Sequence, residues 1–143
     1  QLNEDLFKKS KHLTLSILGA SSRNQIQDIV QKSFTENFGV NNCKLAFYSN
    51  SEIGAIEDKT GMSLHKGAVF CGSFSKVKME FLFKDEKVES VALAVLVDNK
   101  EIGILMLGSY ERTRYLGDED TTFIEYIRDI LEKKLELIDS LDA

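Results

Sequence analysis

The stretch that decides the fold is Ser90-Val91-Ala92-Leu93-Ala94-Val95-Leu96-Val97-Asp98-Asn99-Lys100-Glu101-Ile102-Gly103-Ile104-Leu105-Met106-Leu107. Two apolar runs flank a polar triplet. The pattern predicts a strand over 90–97, a turn at 98–100 and a return strand over 101–107. Asn99 suits a left-handed turn position, because its short polar side chain tolerates that backbone. A turn this tight makes the two strands antiparallel. Val91, Leu93, Val95 and Val97 alternate with Ala92, Ala94 and Leu96, so the first strand is apolar on both faces. A strand wetted on one face would alternate apolar with polar. Both faces of this sheet are therefore expected to be covered.

Working outward, the cover is helical. Leu2, Leu6, Leu13 and Ile17 form one stripe of a helix over 2–18 that Gly19 ends. Ser21 or Ser22 is the expected cap of a second helix carrying Ile26, Ile29, Val30, Phe34 and Phe38, closed by Gly39. Asn41-Asn42 is a turn signal, and Cys43 to Ser49 reads as a strand. Asn50 to Gly72 is less regular and holds four of the nine glycines. Within it, Ala68 to Cys71 reads as a short strand. Ser75 caps a short helix through Val77, Phe81 and Phe83. Asp118 is the expected cap of a long last helix, with Glu119 and Asp120 near its positive end. Its stripe of Phe123, Ile127, Ile130, Leu137 and Leu141 is widened by Ile124, Leu131, Leu135 and Ile138. That arc exceeds what one contact needs, so part of it is free to meet another helix. On the same helix, Arg128 with Glu132 and Asp129 with Lys133 read as surface pairs at i,i+4. The order of elements predicts an α+β domain with an antiparallel sheet.

Composition bounds the function. The 143 residues suit one domain over 1–143, with the helix of 1–19 expected to continue from an upstream segment. Lys and Arg number 18 against 23 Asp and Glu, a net charge of −5. A nucleic-acid partner calls for a basic excess or face, so none is expected. No apolar run approaches the ~20 residues that span a bilayer. Two cysteines do not make a disulfide framework. A cytoplasmic protein without a membrane partner is the expectation.

Catalytic and cofactor signatures are sparse. There is no phosphate-binding Gly-Lys-Ser/Thr loop, no Gly-x-Ser-x-Gly elbow, no His-Glu-x-x-His helix and no Cys-x-x-Cys pair. No cofactor or metal is expected, and the chain is not expected to be an enzyme. Cys71, in Phe70-Cys71-Gly72-Ser73, is the residue whose chemistry stays open. It is either a buried inert thiol or a redox-active one, activated by Lys76 or the start of the following helix. Cys43, in a strand, reads as structural. His65 in the glycine-rich insert is either a pocket wall or a surface loop histidine. His12 falls on the polar side of its helix. The Tyr110-Glu111-Arg112-Thr113-Arg114-Tyr115 run reads as a solvated connection, with anion binding as the alternative.

The hairpin, the Gly103-Ile104-Leu105 return strand, and the short connection through Tyr115 to Asp118-Glu119-Asp120 resemble the closing half of a GAF domain. With Phe70-Cys71-Gly72, Phe81-Leu82-Phe83 and Leu107-Gly108-Ser109, the chain looks most like the proteobacterial domain-of-unknown-function family 484, over roughly Leu13 to Ile138. The resemblance implies a GAF-like sheet of five or six antiparallel strands between two helical layers. It also implies N- and C-terminal helices packed together and a homodimer through them, for which Leu2, Leu6, Leu13, Ile17, Ile127, Ile130, Leu137 and Leu141 are the candidates. It further implies a sensory, signal-transducing role in bacteria. The Asn-Lys-Phe-Asp-Glu signature of cyclic-nucleotide-binding GAF domains is missing. Gly72 stands after Cys71, where the bilin-carrying branch has His. Two cysteines are too few for the methionine-sulfoxide reductase branch. The expected function is a non-catalytic regulatory domain that binds an unidentified small molecule or partner. The pocket candidates are His65, Phe70, Cys71, Ser73 and Ser90. The alternatives are a dimerisation module without a ligand and, more remotely, a Cys-based redox enzyme.

Overall fold

The computed structural model describes residues 2–115 and 118–142, with side chains for 4–115 and 120–141. The elements run α1 (Leu2–Leu18), α2 (Arg23–Asn37), β1 (Asn42–Tyr48), α3 (Asn50–Thr60), β2 (Val69–Gly72), α4 (Lys76–Phe83), β3 (Ser90–Asp98), β4 (Glu101–Ser109) and α5 (Asp118–Asp142). The chain is α+β. Its described residues build one antiparallel sheet of four strands in the order β1-β4-β3-β2, where the resemblance implied five or six. The difference lies in the insert, which folds as helix and loop between β1 and β2 and adds no strand.

The hairpin forms as its pattern requires. Asp98 pairs with Glu101, so Asn99 and Lys100 make the turn, and Asn99 takes the left-handed backbone at φ 59°. Both faces are covered. On one face Leu45, Ala92, Ala94, Leu96, Leu105 and Leu107 meet α1, α2 and α5. On the other, Val91, Leu93, Val95, Ile104 and Met106 meet α3, α4 and the loop holding Met62 and Leu64.

Local chemistry sets the helix limits. Ser22 accepts from the Gln25 N–H and starts α2. Ser75 accepts from the Lys78 N–H and starts α4. Ser49, read as the last residue of a strand, instead caps α3. Its side chain accepts from the Glu52 N–H while Glu52 accepts from the Ser49 N–H, a reciprocal capping box. Gly61 ends α3 in the left-handed conformation at φ 71°. The expected cap Asp118 and the neighbouring Glu119 have side chains outside the described residues.

The terminal helices pack together. Leu13 and Ile17 of α1 share a core with Ile124, Ile127, Leu131 and Leu135 of α5, and Lys134 Nζ donates to the Leu18 carbonyl at 2.7 Å. The two surface pairs expected on α5 do not form. Arg128 is buried and sends Nη1 to the Val95 carbonyl at 3.1 Å, while Glu132 accepts from the Val97 N–H at 2.9 Å. Lys133 lies 3.7 Å from Glu136 instead of pairing with Asp129. The cause is the edge of β3: β2 pairs with it only from Val91 to Ala94, and the polar backbone beyond needs partners.

Candidate functional site

Strand alternation separates the residues around β2. Phe70 packs among the insert residues, and Cys71 points to the opposite face, against the helices. One pocket cannot be lined by both. His65 is exposed, its Nδ1 3.0 Å from the Lys66 carbonyl. Of the five pocket candidates, the structure brings together Ser73 and Ser90.

Their shared task is to hold the segment after β4. Ser73 Oγ donates to the Glu89 carbonyl at 2.7 Å, with the Arg112 carbonyl a longer second acceptor at 3.2 Å. Ser90, fully buried, donates to the Glu111 carbonyl at 2.7 Å. Ser109 accepts from the Glu111 N–H at 3.1 Å. Three serines thus fix Glu111 and Arg112 to the end of the hairpin. The fixed segment forms one wall of a cleft of about 330 Å³. Lys76, Arg112 and Glu89 line it, together with Ser73, Ser75, Met79 and Val88. Lys76 opens α4, whose first turn holds no acidic residue. The cleft combines two cations, Lys76 and Arg112, with one carboxylate, Glu89, an excess of one positive charge that suits a small anion. The sequence offered Arg112 within a run whose alternative reading was anion binding, and Lys76 as a neighbour of Cys71, but that the two line one cleft has no local sequence signal.

The thiols are placed for packing. Cys43, Leu107, Ala92 and Cys71 stand opposite one another across the four strands, one cysteine on each edge strand. Burial pushes the Cys43 thiol up to about 12. Burial also raises the Cys71 thiol, partly offset by a hydrogen bond with Thr121 and reinforced by Asp120 and Glu125. The expected activation by Lys76 is not among these influences, because Cys71 faces α5. A nucleophilic thiol needs the opposite shift.

The terminal helices carry a second candidate surface. Leu13, Ile17 and Ile127, expected at an interface between copies, are enclosed in the core of the chain itself. A stripe wide enough for two contacts does not say which residues go inward. Ile130 is half-buried, and Leu6, Leu137 and Leu141 are exposed. The side chain of Leu2 lies outside the described residues. Exposed apolar residues that the stripe did not single out join them: Phe7, Leu15 and Leu18 on α1 and Tyr126 on α5. Leu6, Phe7, Leu15, Phe123 and Tyr126 line a groove of about 550 Å³ between the two helices. On α5, the half-buried or exposed Phe123, Ile130, Leu137 and Leu141 are spaced by seven, seven and four. That spacing keeps them on one stripe.

Residues 1–139 match the family model described as "Protein of unknown function, DUF484". The chain belongs to the DUF484 family. No curated protein matches it significantly. In this DUF484 chain no group of three His, Cys, Asp or Glu among the described residues is placed to hold a metal ion. No described helix is long and apolar enough to cross a membrane. Membership thus carries no activity with it, and chemistry has to be argued from the clefts.

Proposed function

We propose that this chain is a non-catalytic, GAF-like regulatory domain that pairs with a second copy through α1 and α5 and signals through these helices. The observation that carries the reading is the apolar surface those helices leave uncovered. Phe7 is 69% exposed and Leu141 86% exposed, and Tyr126, Leu137, Leu15 and Leu18 are each about half exposed. Exposed apolar residues of this size, with Leu6, Phe7, Leu15 and Tyr126 gathered around one groove, mark an interaction surface. A second copy fits it because heptad-like spacing on a long helix suits packing against a like helix. The signal enters, in this reading, as a small molecule in the cleft beside Ser73, where Lys76 and Arg112 favour an anion.

Sedimentation velocity at micromolar concentration tests the pairing. A dimer is expected, converted to monomer by Leu137→Asp with Leu141→Asp, with helical content unchanged. A wild-type monomer overturns the reading. Native mass spectrometry of protein purified from its cells tests the ligand. A small mass lost on denaturation, and absent in Arg112→Ala, is the expected result. A dimer of bare mass would instead favour the alternative, a dimerisation module without a ligand.

A further inference from the structure

A pocket of about 160 Å³ lies where α1, α2, β4 and α5 meet. Its lining is mostly apolar: Leu6, Phe34, Phe38, Val40, Leu107 and Phe123. Three of these form an aromatic wall. The Phe34 and Phe38 rings are 5.0 Å apart, Phe38 and Phe123 are 5.6 Å apart, and Phe123 meets Phe34 edge-on at 6.3 Å. Tyr115 also lines the pocket. It is 4% exposed, and its hydroxyl has no hydrogen-bond partner among the described residues. Asp120 and the thiols of Cys43 and Cys71 all act on that hydroxyl. The two thiols stand on either side of Leu107 and Ala92 across the strands, which places the hydroxyl over the Leu107 end of the pocket.

The lining selects its occupant. A buried hydroxyl without a partner costs free energy, and a ligand atom that pairs with it recovers that cost. Burial keeps the phenol protonated, so it offers a donor. Arg114 and Asp120 bring one charge of each sign to the lining. Arg114 is already engaged, its Nη1 and Nη2 donating to the Gly39 and Phe38 carbonyls at 2.9 and 2.8 Å. That balance favours neither an anion nor a cation, so a neutral molecule fits best. An apolar cavity of about 150 Å³ holds one benzene ring. Phenylalanine rings also pack well against another ring, offset or edge-on.

We propose that this pocket binds a neutral single-ring aromatic molecule carrying one hydrogen-bond acceptor, with the ring against Phe34, Phe38 and Phe123 and the acceptor on the Tyr115 hydroxyl. The site lies on the face of the sheet covered by α1, α2 and α5, whereas Met79 and Val88 put the cleft beside Ser73 on the insert face. It needs no second copy of the chain. It therefore stands whether or not the readings of that cleft and of the α1–α5 surface hold. Leu6 and Phe123 line the α1–α5 groove as well, so an occupant touches two residues of that surface.

Titration of the whole chain with acetophenone, followed by amide NMR shifts and repeated with benzoate and with benzylamine, tests this. Saturable shifts centred on Val40, Tyr115 and Phe123 are expected. Tyr115→Phe should weaken binding by about three- to tenfold, the size of one lost hydrogen bond. Leu6→Trp fills the pocket from its exposed side and should abolish binding. Leu15→Ala, in the groove but outside the pocket, should leave it unchanged. Benzoate and benzylamine should bind more weakly than acetophenone. If Tyr115→Phe does not fold, Leu6→Trp and Leu15→Ala carry the test. No saturable binding overturns the proposal. Equal binding by Tyr115→Phe also overturns it, because the hydroxyl is then not the anchor. Loss of binding in Leu15→Ala would mean adsorption to the exposed groove, and tighter binding of benzoate or benzylamine would mean a charged occupant. Either result refutes the assignment.

Discussion

Glu132 Oε2 accepts the Val97 N–H at 2.9 Å, so a helix side chain finishes the edge of a strand. Its neighbour one turn earlier, Arg128, does the same for the Val95 carbonyl. The Val95 N–H is taken by the Ala68 carbonyl. Backbone groups left bare by the short β2 are thus satisfied by α5 and by the insert. The same contacts fix the rotation of α5 on the sheet. That rotation decides which part of its apolar stripe is enclosed and which part faces outward.

Glu132→Ala should destabilise the fold by about 1–3 kcal/mol, because it strands a half-buried N–H at the sheet edge. Glu132→Gln keeps an acceptor at the same reach and should recover most of the loss. Urea denaturation with unchanged slope checks both. If the two variants lose equally, the bond to Val97 is not what matters.

Asp98 makes stability depend on pH in the less usual direction for a carboxyl. Burial and the neighbouring Asp139 outweigh the nearby Arg23 guanidinium and push its folded value up to about 6, above the ordinary unfolded value. The folded state therefore holds the proton more tightly, and the associated stability is present below about pH 4 and lost as the pH rises through about 6. The loss is on the order of 1–2 kcal/mol, since water in the open cleft between the hairpin turn and α5 screens the charges. Relative to the wild type, Asp98→Asn should gain stability between pH 4 and 7. Denaturant melts across that range decide it, and a difference that does not change with pH would refute the assignment.

The hairpin could be read from the sequence because its apolar pattern is local and doubled, and the caps at Ser22 and Ser75 because a cap is a three-residue event. α3 was missed because its apolar residues are few, although Ser49 and Glu52 at the capping-box spacing announced it. The opposite facing of Phe70 and Cys71 was legible in strand alternation, but naming both as one pocket overlooked it. Other features have no local signal. Whether Leu13 or Phe7 goes inward depends on where α1 meets α5. Arg128 and Glu132 look like a surface pair until β2 is known to stop short. The match of Asp98 to Asp139 spans 41 positions, and nothing near either residue reports it.

Both thiols should be slow toward alkylating reagents. At pH 8 the folded chain should label at Cys43 at least about a hundredfold more slowly than the unfolded chain, because burial suppresses the thiolate. Cys71 should also be slower than the unfolded thiol. Mass-resolved labelling with iodoacetamide gives the two rates separately. Rapid labelling of Cys71 in the native protein would revive the redox-enzyme alternative.

Gly108 lets β4 pass beneath Phe83. A Cβ there would stand 2.9 Å from the Phe83 ring, closer than such carbon atoms approach, and a tight 3.1 Å from Val88 Cγ1. Both neighbours are buried and have little room to shift. Gly108→Ala should therefore cost about 1–3 kcal/mol by overpacking. Phe83→Leu should cost stability alone but partly rescue Gly108→Ala, a coupling visible in a double-mutant cycle. Additive losses would mean that the ring is not the obstacle.

Tyr115 is buried among the helices with a hydroxyl that has no hydrogen-bond partner among the described residues. Burial, with Asp120 and the two thiols adding to it against Arg114, pushes the phenol up to about 12. An unmet hydroxyl in an apolar setting costs free energy that its removal returns. Most large-to-small core changes destabilise, yet Tyr115→Phe keeps the ring and its packing and deletes only the stranded oxygen. It should leave stability unchanged or raise it by about 1 kcal/mol, with Tm rising accordingly. A loss of more than about 1 kcal/mol would show that the hydroxyl has a partner in solution, such as a bound water or ligand. In that event Tyr115→Phe would also expose any ligand held at the start of α5, through loss of its mass in the native spectrum.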